Sequence, residues 1–251
     1  MGSATVVLGP ALAVAGVLAV VTAAAVAWRT HLGTARLAVV ASVRAVAQLG
    51  AVALLIGAIV GSPWLSAAFV LVMVGVAAYT AARRVTPDRS GWWSALPIAL
   101  TLPVTGLLVL GGVVPPAGIA VIPMAGILVG GTMTATSLAG RRALDELTAR
   151  RGEVEAALSL GFPDRDARIE IVRPTAGQAL VPAIDQTRTV GLVTLPGAFV
   201  GMLLGGASPV AAGAVQVLVL LLLLATETVA VAVMVELVCR GLVRRPLTAA
   251  R

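Results

Sequence analysis

The chain has no lysine; all 18 of its basic residues are arginine. A phosphate-binding loop of the Walker type needs a lysine, and so does a retinal Schiff base, so neither can exist here. Codon bias accounts for the arginine preference. There is one histidine, His31, in a short loop. That excludes an HExxH zinc site, and an intramembrane protease of the rhomboid kind would need its histidine within a membrane segment. Asp185 is the only aspartate near an apolar segment, one short of an aspartyl membrane protease's pair. Cys239 stands alone, so no disulfide closes within the chain and no thiolate cluster can form. Charge is scarce as well, at 12% of residues against about 25% in soluble domains. The net charge of +7 does not point to nucleic acid, because most charges sit in gaps between apolar runs. No basic stretch precedes the first of those runs, so a cleaved signal peptide is not expected.

What fills the chain is apolar: 59% of residues are hydrophobic, in helix-length runs without the alternation of a barrel strand. The reading is an all-α integral membrane protein, a single transmembrane domain over 1–251. Seven segments are expected, at about 5–28, 36–60, 64–82, 92–113, 118–139, 188–206 and 209–239. The gaps between them alternate in charge. Arg29, His31 and Arg36 fill the first, Arg83, Arg84 and Arg89 the third, and Arg240, Arg244 and Arg245 follow the last. The gaps at Gly61 to Pro63, around Pro115 and Pro116, and from Gly205 to Pro209 carry none. The positive-inside rule puts the N-terminus outside and the C-terminus in the cytoplasm. Trp28 reads as an interfacial anchor.

The largest polar stretch, 139–187, falls on the cytoplasmic side by the same rule. Within it, EVEAALSLGFPDRDARIEIVRP (153–174) reads as helix, break, helix. Glu155, Ala156 and Ala157 lie on a helix-forming run. Gly161 ends that run as a helix C-terminal glycine does, Pro163 suits the first turn of the next helix, and Asp164 and Asp166 place negative charge at its positive end. An elbow too polar for lipid, held between membrane segments, is either a docking surface or an ordinary helical hairpin.

Several polar groups fall inside apolar segments, where they are costly and often functional. Arg44 and Gln48 are one turn apart in the second segment; Arg44 could line a pathway or merely snorkel to the interface. Glu227 lies near the middle of the seventh. Gln216 and Met234 fall within roughly 20° of it around the helix, forming a stripe that faces a partner helix or a pathway. Glu227 is expected to line a transport route; its rival is a protonated packing glutamate. Small-residue spacings, Gly126 with Gly130, Gly57 with Gly61, and Gly197 with Gly201 and Gly205, suit close helix contacts within the fold or between two copies. Pro97, Pro103, Pro123 and Pro196 should bend their helices.

The spacing of Glu155-Ala156-Ala157, Gly161, Ile171 and Arg173-Pro174 resembles the coupling loop of ABC-transporter membrane subunits, with Arg173 where that pattern has leucine. VIPMAGILVG (121–130), EAALSLG (155–161) and ALVPAIDQTRTVGLVTLPG (179–197) resemble more closely the bacterial iron-export ABC permeases, a family with plant relatives implicated in aluminium tolerance. Asp185, Arg188, Thr189, Gly191, Leu195, Pro196 and Gly197 follow the family run. Gly131 departs from it, standing where the family has asparagine, and so does the intramembrane Glu227. The resemblance implies a permease subunit in a bacterial inner or plasma membrane, present as two copies, exporting iron or another metal or its complex. It implies a separate ATPase subunit that binds ATP and Mg, with no cofactor on this chain, and a docking site at Glu155, Ala156, Ala157, Gly161 and Pro163. Iron seeks carboxylate, imidazole or thiolate ligands, and the membrane segments offer little beyond Glu227 and a few methionines, so the metal ligands stay unassigned. The alternatives are a secondary transporter or channel that uses Glu227 as an ion or proton relay, and a membrane scaffold.

Overall fold

A computed structural model describes residues 9–246. The described part is helical, apart from turns and one isolated bridge between Val190 and Thr194. It divides between Ile59 and Val60 into two compact units.

The first unit holds α1 (Pro10–Arg29) and most of α2 (Ala35–Val60). Both are long and apolar enough to cross a membrane. Pro10 opens α1, where its missing N–H costs nothing. Trp28 is exposed at the other end of α1, beside Arg29. No residue of α2 is buried.

The second unit is built on three long helices, α3 (Pro63–Val85), α6 (Gly118–Ala149) and α11 (Pro209–Cys239), with α6 packed on both of the others. The contacts fix their direction. Ser66, Met73 and Val85 of α3 lie against Gly118, Gly126 and Gly140 of α6 in turn. Val219 of α11 clusters with Met124, and Leu223, Glu227 and Met234 lie against Gly131 and Gly140. All three helices therefore run the same way, which requires two returns. The first is a 3₁₀ turn (Arg89–Ser94), then α4 (Ala95–Ala99) and α5 (Thr101–Leu110). Its break at Leu100 lies between Pro97 and Pro103, each of which removes a ladder hydrogen bond. Pro123, by contrast, is carried inside a continuous α6.

The second return differs from the sequence expectation. In place of one helix over 188–206 there are α9 (Val181–Thr189), a non-helical stretch, and α10 (Gly197–Leu204). Among the described residues, six helical segments are long and apolar enough to cross a membrane on their own, against the seven expected. Hydropathy could not see the interruption. Gly191 has φ +83, a conformation closed to most L side chains, and Pro196 holds extended backbone as the N-cap of α10. The Thr189 carbonyl accepts the N–H groups of Leu192 and Val193, and the Gly191 N–H meets the Thr194 carbonyl.

The polar region differs in outline too. The fifth segment does not stop at 139: α6 runs on to Ala149, so its last turns leave the apolar layer as an extension of the membrane helix. The elbow proper is α7 (Arg151–Ser159) and α8 (Asp164–Ala176), while α9 already belongs to the return. The chain after α11 is tied back to the same end. Thr86 Oγ1 donates to the Arg244 carbonyl at 3.0 Å, the Arg244 N–H donates to Ser90 Oγ at 3.1 Å, and Arg245 pairs with Asp145 at 2.6 Å.

α3, α6 and α11 meet closely at Gly140. Met234 is fully buried, and a Cβ at Gly140 would lie 2.5 Å from its Cε and 2.9 Å from Val85 Cγ2. Overfilling such a contact costs about 1–3 kcal/mol. Gly140→Val should therefore lower the thermal midpoint of the purified chain measurably, while Gly130→Val, whose Cβ has open space, should shift it less.

Candidate functional site

The elbow turns on Gly161. With Leu160 as the C-cap of α7, Gly161 has φ +89, its N–H meets the Leu158 carbonyl at 3.0 Å, and the Phe162 N–H meets the Ala157 carbonyl at 3.2 Å. Those two bonds make a Schellman motif, which explains the glycine. Pro163 is the N-cap of α8, in extended backbone, and Asp164 and Asp166 occupy the first turn.

One side of α8 is pinned. Ala167, Ile171 and Val172 are buried, with Val172 in one core cluster with α6 and α11 residues. Arg165 grips Glu236 of α11 through two hydrogen bonds, Nε to Oε1 at 2.9 Å and Nη2 to Oε2 at 2.7 Å. Arg240 donates to the same carboxylate at 2.6 Å. Arg168 reaches the Cys239 carbonyl at 3.3 Å. The elbow, the C-terminal end of α11 and the turn after α3 thus share one end of the unit.

The other side is free. No residue of α7 is buried; Glu155 and Ala156 are exposed, and Ala157 is half-buried. Glu155 pairs with Arg151 at 2.8 Å. Arg150 bridges Glu146 and Glu153, and its hydrogen bond holds the Glu153 carboxyl below the usual carboxylate range. At the bend three apolar side chains face outward: Leu158, Leu160, which is 80% exposed, and Phe162. Composition hid this patch, because the stretch around it is charged.

The α11 stripe is buried along its length, with Gln216, Glu227 and Met234 all inside. Its members do different things. Met234 fills the packing against Gly140 and Val85. Gln216 Oε1 is buried without a hydrogen-bond partner. Glu227 alone of the three lines a cavity, of about 340 Å³, between α6, α9 and α11. Thr134, Gln186 and Gly131 line it too; sequence reasoning missed Thr134 and Gln186 and marked Gly131 only as a departure from the family run, whereas a Cβ there would strike Glu227 Oε1 and Leu223 Cδ1.

Other expected site residues lie elsewhere. Arg44 and Gln48 are exposed on α2 of the first unit, and the cavity is lined wholly from the second. Asp185 and Arg188 are exposed on α9 and line no part of it, while Thr189 bonds back to the Asp185 carbonyl at 2.8 Å. Gly191, Leu195, Pro196 and Gly197 form the break and the start of α10. Gly126 does meet a neighbouring helix, through Met73, but Gly130, Gly197 and Gly201 have open space over their α-carbons, and Gly205 meets only its own helix's backbone. Of the two contacts expected as alternatives for the α10 glycines, within the fold or between two copies, the described residues show no close approach of another helix over Gly197, Gly201 or Gly205.

A family model described as "Uncharacterised protein family (UPF0014)" matches residues 10–243. The chain belongs to the UPF0014 family. The matched region contains the elbow, the broken return and Glu227. Among relatives, the chain is 36% identical over 210 residues to the UPF0014 membrane protein STAR2 of Oryza sativa subsp. japonica, covering 82% of this chain and 73% of that protein. It is 39% identical over 159 residues to Protein ALUMINUM SENSITIVE 3 of Arabidopsis thaliana, covering 62% of this chain but only 58% of that protein. It is 32% identical over 112 residues to the probable iron export permease protein FetB of Escherichia coli strain K12, covering 45% of this chain and 43% of that protein. No solved structure matches. The family that the sequence motifs resemble is thus UPF0014, whose relatives include plant proteins and a protein named as a probable iron export permease, and this chain is one of its multi-pass membrane proteins.

Proposed function

We propose that the chain is the membrane-spanning subunit of an ABC transporter, driven by ATP hydrolysis on a separate polypeptide that docks at the elbow. The observation that carries this reading is the division of the elbow into two faces. One face is locked to α6 and α11. The other presents Leu158, Leu160 and Phe162 outside the apolar layer, where no lipid would cover them. Exposed apolar side chains set in a polar surround mark interaction sites, and a tip fixed from behind can pass a displacement to α11. In this reading the elbow end is cytoplasmic, the N-terminus is outside, and a bacterial inner or plasma membrane holds two copies. Trp64 at one end of α3, and Trp92 and Trp93 after the other, are exposed where interfacial aromatics belong. The cargo is iron or another metal, free or complexed, a suggestion taken from the name of the Escherichia coli relative.

The test is co-expression of the tagged chain with an ABC ATPase encoded beside it, then reconstitution into proteoliposomes. The expected outcome is a stable complex that moves iron only with ATP, and not when the ATPase lacks its phosphate-loop lysine. Movement at full rate without nucleotide would favour the second reading, a secondary transporter in which Glu227, buried without a partner, relays an ion.

A further inference from the structure

Among the described residues Glu227 is the only buried charged side chain, 7% exposed. Its carboxylate makes no hydrogen bond or ion pair with any described residue. The elbow carboxylates Glu153, Glu155, Asp164, Asp166 and Glu170, by contrast, are each matched with an arginine. The exposure it keeps is toward the cavity it lines with Ile127, Thr134, Leu138, Gln186 and Leu223. Gly131 leaves open the volume that the carboxylate fills, since any side chain there would strike Oε1.

Such a wall selects by charge and by hydration. A carboxylate buried alone is costly, and a positive charge brought beside it removes the cost. A bare divalent metal is poorly served: it loses a strongly held water shell and needs several anionic or imidazole ligands to replace it. No three His, Cys, Asp or Glu come together as a metal site among the described residues. One carboxylate balances one positive charge. The rest of the wall is mainly aliphatic, which suits a charge spread over, or shielded by, an apolar body that gives up little hydration on entering.

We propose that the α6–α9–α11 cavity binds a bulky, weakly hydrated cation of single positive charge, with Glu227 as its counter-ion. Two sources share that chemistry: an organic ammonium, and a metal wrapped in an organic chelator that leaves one net positive charge. The inference deepens the transport reading by naming what the route accepts, but it concerns binding to this chain alone and needs no ATPase.

The test is equilibrium dialysis of the full chain in lipid nanodiscs, against empty nanodiscs, with labelled benzyltrimethylammonium as the probe. Saturable binding is expected, weakened by about tenfold or more in Glu227→Gln, as for losing one partner of a close, desolvated charge pair. Gly131→Ala, which keeps the carboxylate but displaces it, should weaken binding as well and serves if Glu227→Gln does not fold. Neopentylbenzene, of the same shape without the charge, should not compete. A singly charged ferric chelate of similar size that displaces the probe more strongly than unlabelled ammonium assigns a metal complex; the reverse order assigns an organic cation. Undiminished binding in both variants, equal competition by neopentylbenzene, or displacement by Zn²⁺ at lower concentration than either cation would overturn the proposal. ATP-driven transport is measured separately, so losing one result leaves the other standing.

Discussion

Chains carrying Gly161→Pro should insert and fold but fail to co-purify with the proposed ATPase partner. Position 161 holds φ +89 and donates its N–H to the Leu158 carbonyl. Proline locks φ near −65° and has no N–H, so the Schellman turn cannot form, at a cost of roughly 3 kcal/mol or more. That cost falls on the tip alone, because α8 is held from its opposite side by Ala167, Ile171 and Val172. Leu160 and Phe162 would then leave their present positions, and recovery of the ATPase on a tagged permease should drop by about tenfold or more, as for loss of an interface anchor. Gly161→Ala, which must also sit in the left-handed region at about 1–2 kcal/mol, should fall between. The measurement is a pull-down in mild detergent alongside the thermal midpoint of the permease. Full recovery of ATPase with Gly161→Pro would remove the elbow from the docking site.

The second large effect concerns transmission. Arg165→Glu should leave ATPase binding intact and strip transport from ATP hydrolysis. The substitution sets a carboxylate against Glu236, where two hydrogen bonds now join α8 to α11. Exposed ion pairs add only about 0–1 kcal/mol to stability, so folding should change little; the pair acts by fixing the register of α8 on α11. Glu236 lies two and a half turns from Glu227, about 13 Å by helical rise, so a slip at the elbow is a slip near the cavity. Transported ions per ATP should fall several-fold, and adding Glu236→Arg should restore them by re-forming the pair in reverse. If the double variant is no better than the single, the pair is not the link.

The elbow was legible because its cues are local. Gly161, Pro163, Asp164 and Asp166 each act within one turn, through backbone angle or helix dipole; the structure places Gly161 and the two aspartates as such cues require, and Pro163 one residue before the first turn, at the N-cap of α8. What pins the elbow was not legible: Arg165 finds Glu236 across 71 residues of chain, and nothing in either segment names the other. The expected helix over 188–206 failed for a related reason. Hydropathy sums side chains and is blind to backbone angle, whereas Gly191 and Pro196 act through backbone alone. Glu227 and its buried stripe could be read from helical phase. That Met234 packs while Glu227 faces a cavity could not, because the difference depends on what lies opposite on α6 and α9.

The interruption between α9 and α10 has a consequence for the lipid around it. α9 passes the level of Glu227, where Gln186 shares the cavity wall, so the non-helical residues that follow lie deep within the apolar layer, with Leu192 92% exposed. Hydrocarbon offers carbonyl oxygens nothing to bond, and irregular backbone survives at such depth only against protein or a water-filled space. In the proposed assembly, 190–196 must therefore be sheltered from acyl chains, either under a neighbouring subunit or along an aqueous vestibule.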